Sequence, residues 1–279
     1  MKSKKQRALD RIAAFGPHFR CPICETSLLL EEGRFVCDND HTFDLAKQGS
    51  VYLFNGQPVN GYTKTLFEAR RDMIVEKKLY APVHEWVASW IDRQQVDVLL
   101  DAGTGEGSQL TELLSHVSRP VHAVGIDLAK DGIQQASKQS SEAIWFVNDL
   151  AHTAFRDDTF DFIFNMLSPA NYEEFARILR PGGVVCKIIP GAGYLRQIRE
   201  ALYESTDEHA TYDNRQTVER FDASFERIEH HTWSYDVSLT ETEWQSLVAM
   251  TPLTWENKHP LPYEPVITIE LEALIGRAH

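Results

Sequence analysis

Three observations in this 279-residue chain predict an α/β fold, a parallel doubly wound sheet preceded by a small β-rich module. Apolar strand-like runs alternate with helical patterns from about residue 96 onward. A glycine-rich loop, "LLDAGTGEG" at 99–107, follows the first of those strands. Three of the four cysteines and a histidine crowd into residues 21–41. An apolar content of 43% with mixed charge excludes a disordered chain, and no run approaches eighteen apolar residues, so no membrane span is expected. The basic N-terminus lacks the apolar core of a signal peptide, and clustered cysteines suit a reducing compartment, so a cytoplasmic protein is expected.

In order along the chain, residues 1–15 read as a short basic helix that "FGPHF" breaks. A cysteine module occupies 16–58 and ends in the turn-rich "NGQPVNG". Residues 59–95 carry helical periodicity with a kink expected at Pro82, and read as a helical linker in which Trp86 and Trp90 face the core. The remainder, 96–279, is the main domain. "VDVLLDAG", "VHAVGIDL", "AIWFVNDL", "FDFIFNML" and "VVCKIIP" read as successive strands, with helices over 106–116, 130–140 and 171–180. "FERIEHHTWSYDVSL" and "PVITIELEALIG" read as two long strands around a helix at 241–250. Cys186, inside an apolar strand, reads as a small buried hydrophobe.

The net charge of −13 argues against a polyanionic partner, but its distribution is uneven. Residues 1–95 hold 14 Lys/Arg against 12 Asp/Glu, a net of +2, and residues 96–279 hold 14 against 29, a net of −15. A nucleic-acid grip would therefore sit in the N-terminal third, where Lys2, Lys4, Lys5, Arg7, Arg11 and Arg20 cluster; a solvated basic tail is the plainer alternative.

The cysteine spacing is Cys21-x2-Cys24-x12-Cys37-x3-His41. Two close pairs of soft and imidazole donors separated by a dozen residues suit a closed tetrahedral zinc site. "LLLEEGRFV" reads as a hairpin turning at Glu32-Gly33 and "DND" as a tight turn, which favours a ribbon-like module over a groove-entering helical finger. A redox pair would require a thioredoxin-like context that is absent.

In the glycine loop, Gly103, Gly105 and Gly107 let a ligand approach the backbone closely. Glycines alone do not separate dinucleotides from S-adenosylmethionine. Asp101 at the strand tip would repel a pyrophosphate but suits a cationic methionine amine. Asp127 ends the next strand, where it can accept from ribose hydroxyls. Asn148 and Asp149 close the third strand, a position for an adenine edge. Together these favour S-adenosylmethionine, although Asp127 taken alone could cap a helix and Asp149 could be a turn residue.

With both modules in one chain, the sequence resembles the 23S ribosomal RNA (guanine-N1)-methyltransferase family over nearly its whole length. The carriers are "CPIC", "CDNDHTFDLAKQG", "LLDAGTGEG", "LSPANYEEFARILRPGG", "MTPLTW" and "ITIELEALIGRAH". "SPANY" and the final strand resemble the Gram-positive branch, associated with tylosin-type macrolide resistance. The resemblance implies a class I (Rossmann-like) S-adenosylmethionine-dependent methyltransferase sheet with an N-terminal zinc-binding module that recognises RNA. It implies zinc on Cys21, Cys24, Cys37 and His41, cofactor contacts at Tyr80, Gly105, Glu106 and Tyr194, and a hairpin loop in domain II of 23S rRNA as substrate. The chain departs from the family at Thr104, where a cysteine is common, at Tyr194, where some members carry histidine, and in "KQGSVYLF".

Guanine N1 carries a proton at neutral pH, so a base is required. Ser168, Asn171 and Asp149 are the candidates near the end of the fourth and third strands, and none identifies itself as that base. Arg34, Phe35 and Arg70-Arg71 join the basic N-terminus as candidate RNA contacts. His230, His231 and Trp233 read as a surface strand and its packing. A homodimer is compatible with the sequence. Two rivals stand beside this reading, a small-molecule methyltransferase and a non-catalytic zinc-containing RNA-binding protein.

Overall fold

The computed structural model describes residues 2–56, 63–140, 142–203, 212–257 and 259–278. The expected turn "NGQPVNG" at 55–61 falls mostly outside the described residues.

Ser3 caps α1 (Lys4–Phe15), its hydroxyl accepting from the Gln6 N–H, and the helix buries Ile12 and Phe15. β1 (Leu28–Glu31) and β2 (Arg34–Cys37) form the expected hairpin. Its turn residues Glu32 and Gly33 have φ of 47° and 83°, the pair of positive angles that a tight hairpin requires. β3 (Thr42–Asp44) completes a three-stranded antiparallel sheet, β1-β2-β3. The chain then leaves this module through β4 (Val51–Tyr52), which pairs in parallel with β7 (Ile144–Val147) of the main sheet.

The segment expected as a linker is part of the main body. α2 (Lys64–Arg71) runs into a π-helical turn at Asp72–Glu76, and a separate helix α3 (Ala81–Gln94) follows. The break precedes Pro82 rather than falling on it. Proline lies in the first turn of α3, where its missing N–H would have had no partner and its fixed φ suits the helix. Met73, Ile74, Tyr80, Val83, Val87 and Ile91 are all buried against the sheet. Trp90 is buried as expected, and Trp86 stacks on His231 at 4.9 Å.

The main sheet has eight strands in the order β10-β11-β9-β8-β5-β6-β7-β4. β5 (Val98–Ala102), β6 (His122–Asp127), β7, β8 (Phe160–Met166) and β9 (Leu179–Pro190) are parallel, as the alternation predicts. β10 (Phe225–Ser238) and β11 (Val266–Ala278) add an antiparallel edge pair. α4 (Ser108–His116), α5 (Lys130–Gln139), α6 (Tyr172–Ile178) and α9 (Glu241–Met250) lie close to their expected positions. α7 (Arg196–Leu202) and α8 (Arg215–Ser224) escape sequence reasoning, because each offers too few apolar residues for a helical period to stand out. Strand order reverses at β5, which is flanked by β6 on one side and β8 on the other. A crevice therefore opens beyond the carboxyl ends of these strands, beside the glycine loop.

The two faces of the sheet carry separate cores. α2 and α3 cover one face. The other is covered in part by α1 and the cysteine module, through a cluster in which Phe19 lies 4.8 Å from Phe35 and 5.4 Å from Phe146. Phe35, expected as an RNA-stacking residue, is fully buried there and corrects that expectation. Each such ring contributes about 1.5–3 kcal/mol of transfer free energy, so the module is packed onto the sheet rather than tethered to it.

Candidate functional site

The four residues chosen by spacing converge at one point. The donor atoms of Cys21, Cys24, Cys37 and His41 all lie within 4.8 Å of one another. Cys24 and Cys37 Sγ are 3.7 Å apart, and His41 Nδ1 lies 3.6 Å from Cys21 Sγ and 3.4 Å from Cys37 Sγ. Zinc bonds of about 2.3 Å to sulfur and about 2.0 Å to nitrogen, arranged tetrahedrally, give ligand separations of roughly 3.5–3.8 Å. The donor set and its spacing therefore fit Zn2+, and four protein ligands leave no coordination position for a substrate. The first pair sits on the turn before β1, and the second is Cys37 at the end of β2 with His41 just past the turn that follows, which is how a hairpin brings ligands a dozen residues apart into one cage. Thr26 Oγ1, 3.2 Å from Cys24 Sγ, is the main cause holding that thiol down, to about 5, and so in its ligating thiolate form.

The second site is an open cavity of about 840 Å³ at the strand reversal, the size of a small-molecule site. Gly103, Gly105 and Glu106 form one wall and Asp127 the next. Asp127 accepts from the Gly105 and Ala129 N–H groups, both at 2.8 Å, so it shapes the loop while keeping lone pairs open to a ligand. Tyr80, at the start of α3, and Tyr194, after β9, also line the cavity and meet hydroxyl to hydroxyl at 2.7 Å. Burial pushes both phenols above their usual range, so both are neutral. Gly103 has φ of 86°, and a Cβ there would fall 1.9 Å from Ser168 Oγ; only glycine lets the two loops close on each other.

Glu106 is buried and ion-paired to Arg70 at 2.5 Å. Its second oxygen is buried without a partner among the described residues. An unsatisfied carboxylate oxygen in a wall with a second acid is a receptor for a cationic donor, and the methionine amine of S-adenosylmethionine has that chemistry. The cavity residues therefore fit this cofactor. Arg70, expected at the RNA surface, instead reaches over Gly105 into the cavity, because the buried carboxylate draws it in. Arg71 stays on the surface with Gln139 and Glu76.

Five expected positions stand back from the lining. Asp101 lies beneath the loop, accepting from Thr104. Gly107 begins α4 with φ of 82°, packed on Trp145. Asn148 is fully buried and accepts from the Ala154 N–H. Asp149 closes a local turn by accepting from the Ala151 N–H, the plainer of its two readings. Asn171 caps α6 through the Glu174 N–H. Of the base candidates only Ser168 lines the cavity. Lys187 on β9 also lines it and was missed, because a lysine within "VVCKIIP" is read as an interruption of a buried strand rather than as a cavity group.

Burial raises the Asp101 carboxyl to about 7. Its folded form thus holds a proton that the unfolded chain releases near 4, so the contribution is most favourable below pH 4 and is lost as pH rises to 7. Asp101→Asn, which can still accept from Thr104, is expected to be more stable than the parent at pH 8 by up to about 4 kcal/mol and near-neutral at pH 4. Urea midpoints at the two pH values test this; a pH-independent difference would refute it.

A family model described as "RlmA, N-terminal" matches residues 19–60, and one described as "Methyltransferase domain" matches residues 99–183. The chain is 35% identical over 272 residues to YxjB of Bacillus subtilis (strain 168), a protein provisionally named as a 23S rRNA (guanine-N(1)-)-methyltransferase. That match spans 92% of this chain and 96% of the relative. A 23S rRNA (guanine(748)-N(1))-methyltransferase of Streptomyces fradiae is 27% identical, with 86% of each chain covered. A provisionally named 23S rRNA (guanine-N(1)-)-methyltransferase of Micromonospora griseorubida is also 27% identical, over 86% of this chain and 88% of that one.

Proposed function

Since this chain belongs to the 23S rRNA (guanine-N1)-methyltransferase family, we propose that it methylates N1 of a guanine in a hairpin loop of domain II of 23S rRNA. The observation that carries this reading is the union of a closed zinc cage with a glycine-loop cavity in one packed body, joined through β4. Residues 16–58 serve RNA recognition and 96–279 catalysis, with the helices of 59–95 closing the cavity.

S-adenosylmethionine supplies an electrophilic methyl group on a sulfonium. The chain's own residues do the rest. Glu106 would hold the amine through its unpartnered oxygen, Arg70 beside it would meet the carboxylate, and Asp127 would accept from the ribose hydroxyls. Tyr80 and Tyr194, neutral and buried, would help exclude water from the cavity. Residues 166–170, with Ser168 against Gly103, line the cavity where the guanine edge would enter, and would orient its N1 toward the methyl donor. Zn2+ on its four ligands fixes the hairpin carrying the exposed Arg34. Among the described residues no helix is long and apolar enough to cross a membrane.

At the mouth of the cavity, Pro252, Leu253 and Trp255 present an apolar lip, with half of the Trp255 surface exposed. A splayed-out base can stack there before it enters. Trp255→Ala is expected to raise KM for RNA by roughly 5- to 100-fold, the worth of one stacked base, with cofactor affinity unchanged. An unaltered KM would remove the lip from RNA binding. The function itself is tested by methyl transfer from labelled S-adenosylmethionine to 23S rRNA lacking the modification, with primer-extension arrest mapping the product. An arrest at one guanine of a domain II hairpin supports the proposal. Cofactor binding without RNA methylation would favour a small-molecule substrate.

A further inference from the structure

We propose that Lys187 is the general base that removes the N1 proton of the target guanine, a role that rests on the function proposed above. The residue is only 5% exposed, and its side chain lines the cavity, with Nζ bonded to the Ser168 carbonyl. Nζ has two protein partners: Asn165 Oδ1 at 2.5 Å and the Ser168 carbonyl oxygen. Both are acceptors. Asn165 cannot present its nitrogen instead, because Nδ2 already donates to the Ala102 and Pro169 carbonyls at 2.6 and 3.1 Å. Two N–H bonds satisfy both acceptors, which leaves one tetrahedral position on Nζ, a hydrogen in the ammonium and the lone pair in the free amine. The two acceptors thus fix the direction in which Nζ can exchange a proton.

The charge environment agrees. No carboxylate forms an ion pair with Lys187 among the described residues. Its strand partners are Asn165 on β8 and Leu274 on β11, neither ionisable. Glu272, two residues along β11, is held by Asn214 and His230. Asp101 on β5 is held by Thr104. The same cavity is lined by Tyr172 of α6, held neutral by burial that pushes it to about 12, by Tyr194, and by Arg199 and Arg220 of α7 and α8. The acids Glu106 and Asp127 in its lining are engaged by Arg70 and by backbone amides. Desolvation brings the Lys187 ammonium down to about 8, so an appreciable fraction is free amine near neutrality. A cationic cofactor in the same cavity lowers it further.

In the step, the N1 proton passes to the Nζ lone pair and the freed N1 pair forms the N–CH3 bond. The C–S bond breaks with its electrons remaining on sulfur. Lys187, now an ammonium, returns its proton to solvent when the product leaves.

The test is single-turnover methyl transfer to unmodified 23S rRNA from pH 6 to 10, with Lys187→Met and Lys187→Arg beside the parent. With cofactor bound, the parent rate is expected to rise through an inflection at about 8 or below. Arginine keeps the charge and donors but holds no lone pair at these pH values. Both variants are expected to lose roughly 100- to 10,000-fold in rate while binding S-adenosylmethionine normally, and to lose the inflection. A variant that keeps the inflection at reduced amplitude would overturn the proposal and make Lys187 a positioning residue for the 165–171 loop. Should either variant fail to fold, competitive acylation of the parent protein, read by peptide mass across the same pH range, decides. Titration of Lys187 near 8 with protection by RNA and cofactor supports the role, and ordinary lysine titration overturns it. If the parent itself transfers no methyl to RNA, the functional reading falls, and this proposal with it.

Discussion

Replacing Cys37 by serine is expected to abolish methyl transfer to 23S rRNA while leaving S-adenosylmethionine affinity within about threefold of the parent. The ligand cage lies in the module below the sheet, and the cavity lies above the carboxyl ends of the strands, with separate residues in each. Structural zinc contributes on the order of 10 kcal/mol to the folding of small modules, and the three short strands of this one cannot replace that. Loss of one thiolate therefore releases the metal and frees the hairpin, while the buried Phe19 and Phe146 keep the rest of the face packed. Metal analysis should find one zinc per parent chain and none in the variant, and limited proteolysis should cut it within residues 20–50. A variant that lost zinc yet still methylated rRNA would show that the ribbon plays no part in recognising RNA.

The second large effect is expected at the other centre. Glu106→Gln removes the charge of a fully buried carboxylate, replaces one of its two acceptor oxygens by an NH2 donor, and so cannot both pair with Arg70 and accept from the cofactor amine as an anion. Breaking one side of such a pair costs about 3–5 kcal/mol of folding stability. Losing one charge-assisted hydrogen bond to the amine, worth about 1.5–3 kcal/mol, should lower cofactor affinity by roughly 10- to 100-fold. Calorimetry measures this directly. Thermal melting of the cofactor-free protein is the companion readout, since stranding Arg70 should also lower Tm. If affinity were unchanged and Tm alone fell, Glu106 would be a structural partner of Arg70 only.

Much of this architecture is written in local chemistry that a sequence displays. The cysteine–histidine cage is legible because thiolates at x2 spacing have few other reasons to occur, and the place of Asp127 in the cavity wall is legible because it ends a strand beside the glycine loop. Asp149 and Asn171 show the limit. Their turn and cap roles use the same short polar side chains at the same strand and helix ends, and only the direction of the side chain separates the two. Arg70 and Phe35 were misplaced for a different reason. A cation or an aromatic ring on a nominally exposed element is drawn inward by a partner far away in sequence, Glu106 in one case and Phe19 with Phe146 in the other. Lys187 is the extreme form of that difficulty, since its meaning depends on two acceptors supplied by another strand and its loop.

β4 has a further consequence. Its two residues pair with Phe146 and Val147, covering the flank of β7, where unpaired amides and carbonyls would otherwise face solvent. The segment that carries the zinc cage is thus also a lid on a sticky border. Trimming it away should give a main sheet that self-associates through exposed strand edges, and grafting it onto another sheet would require donating this seam along with the metal.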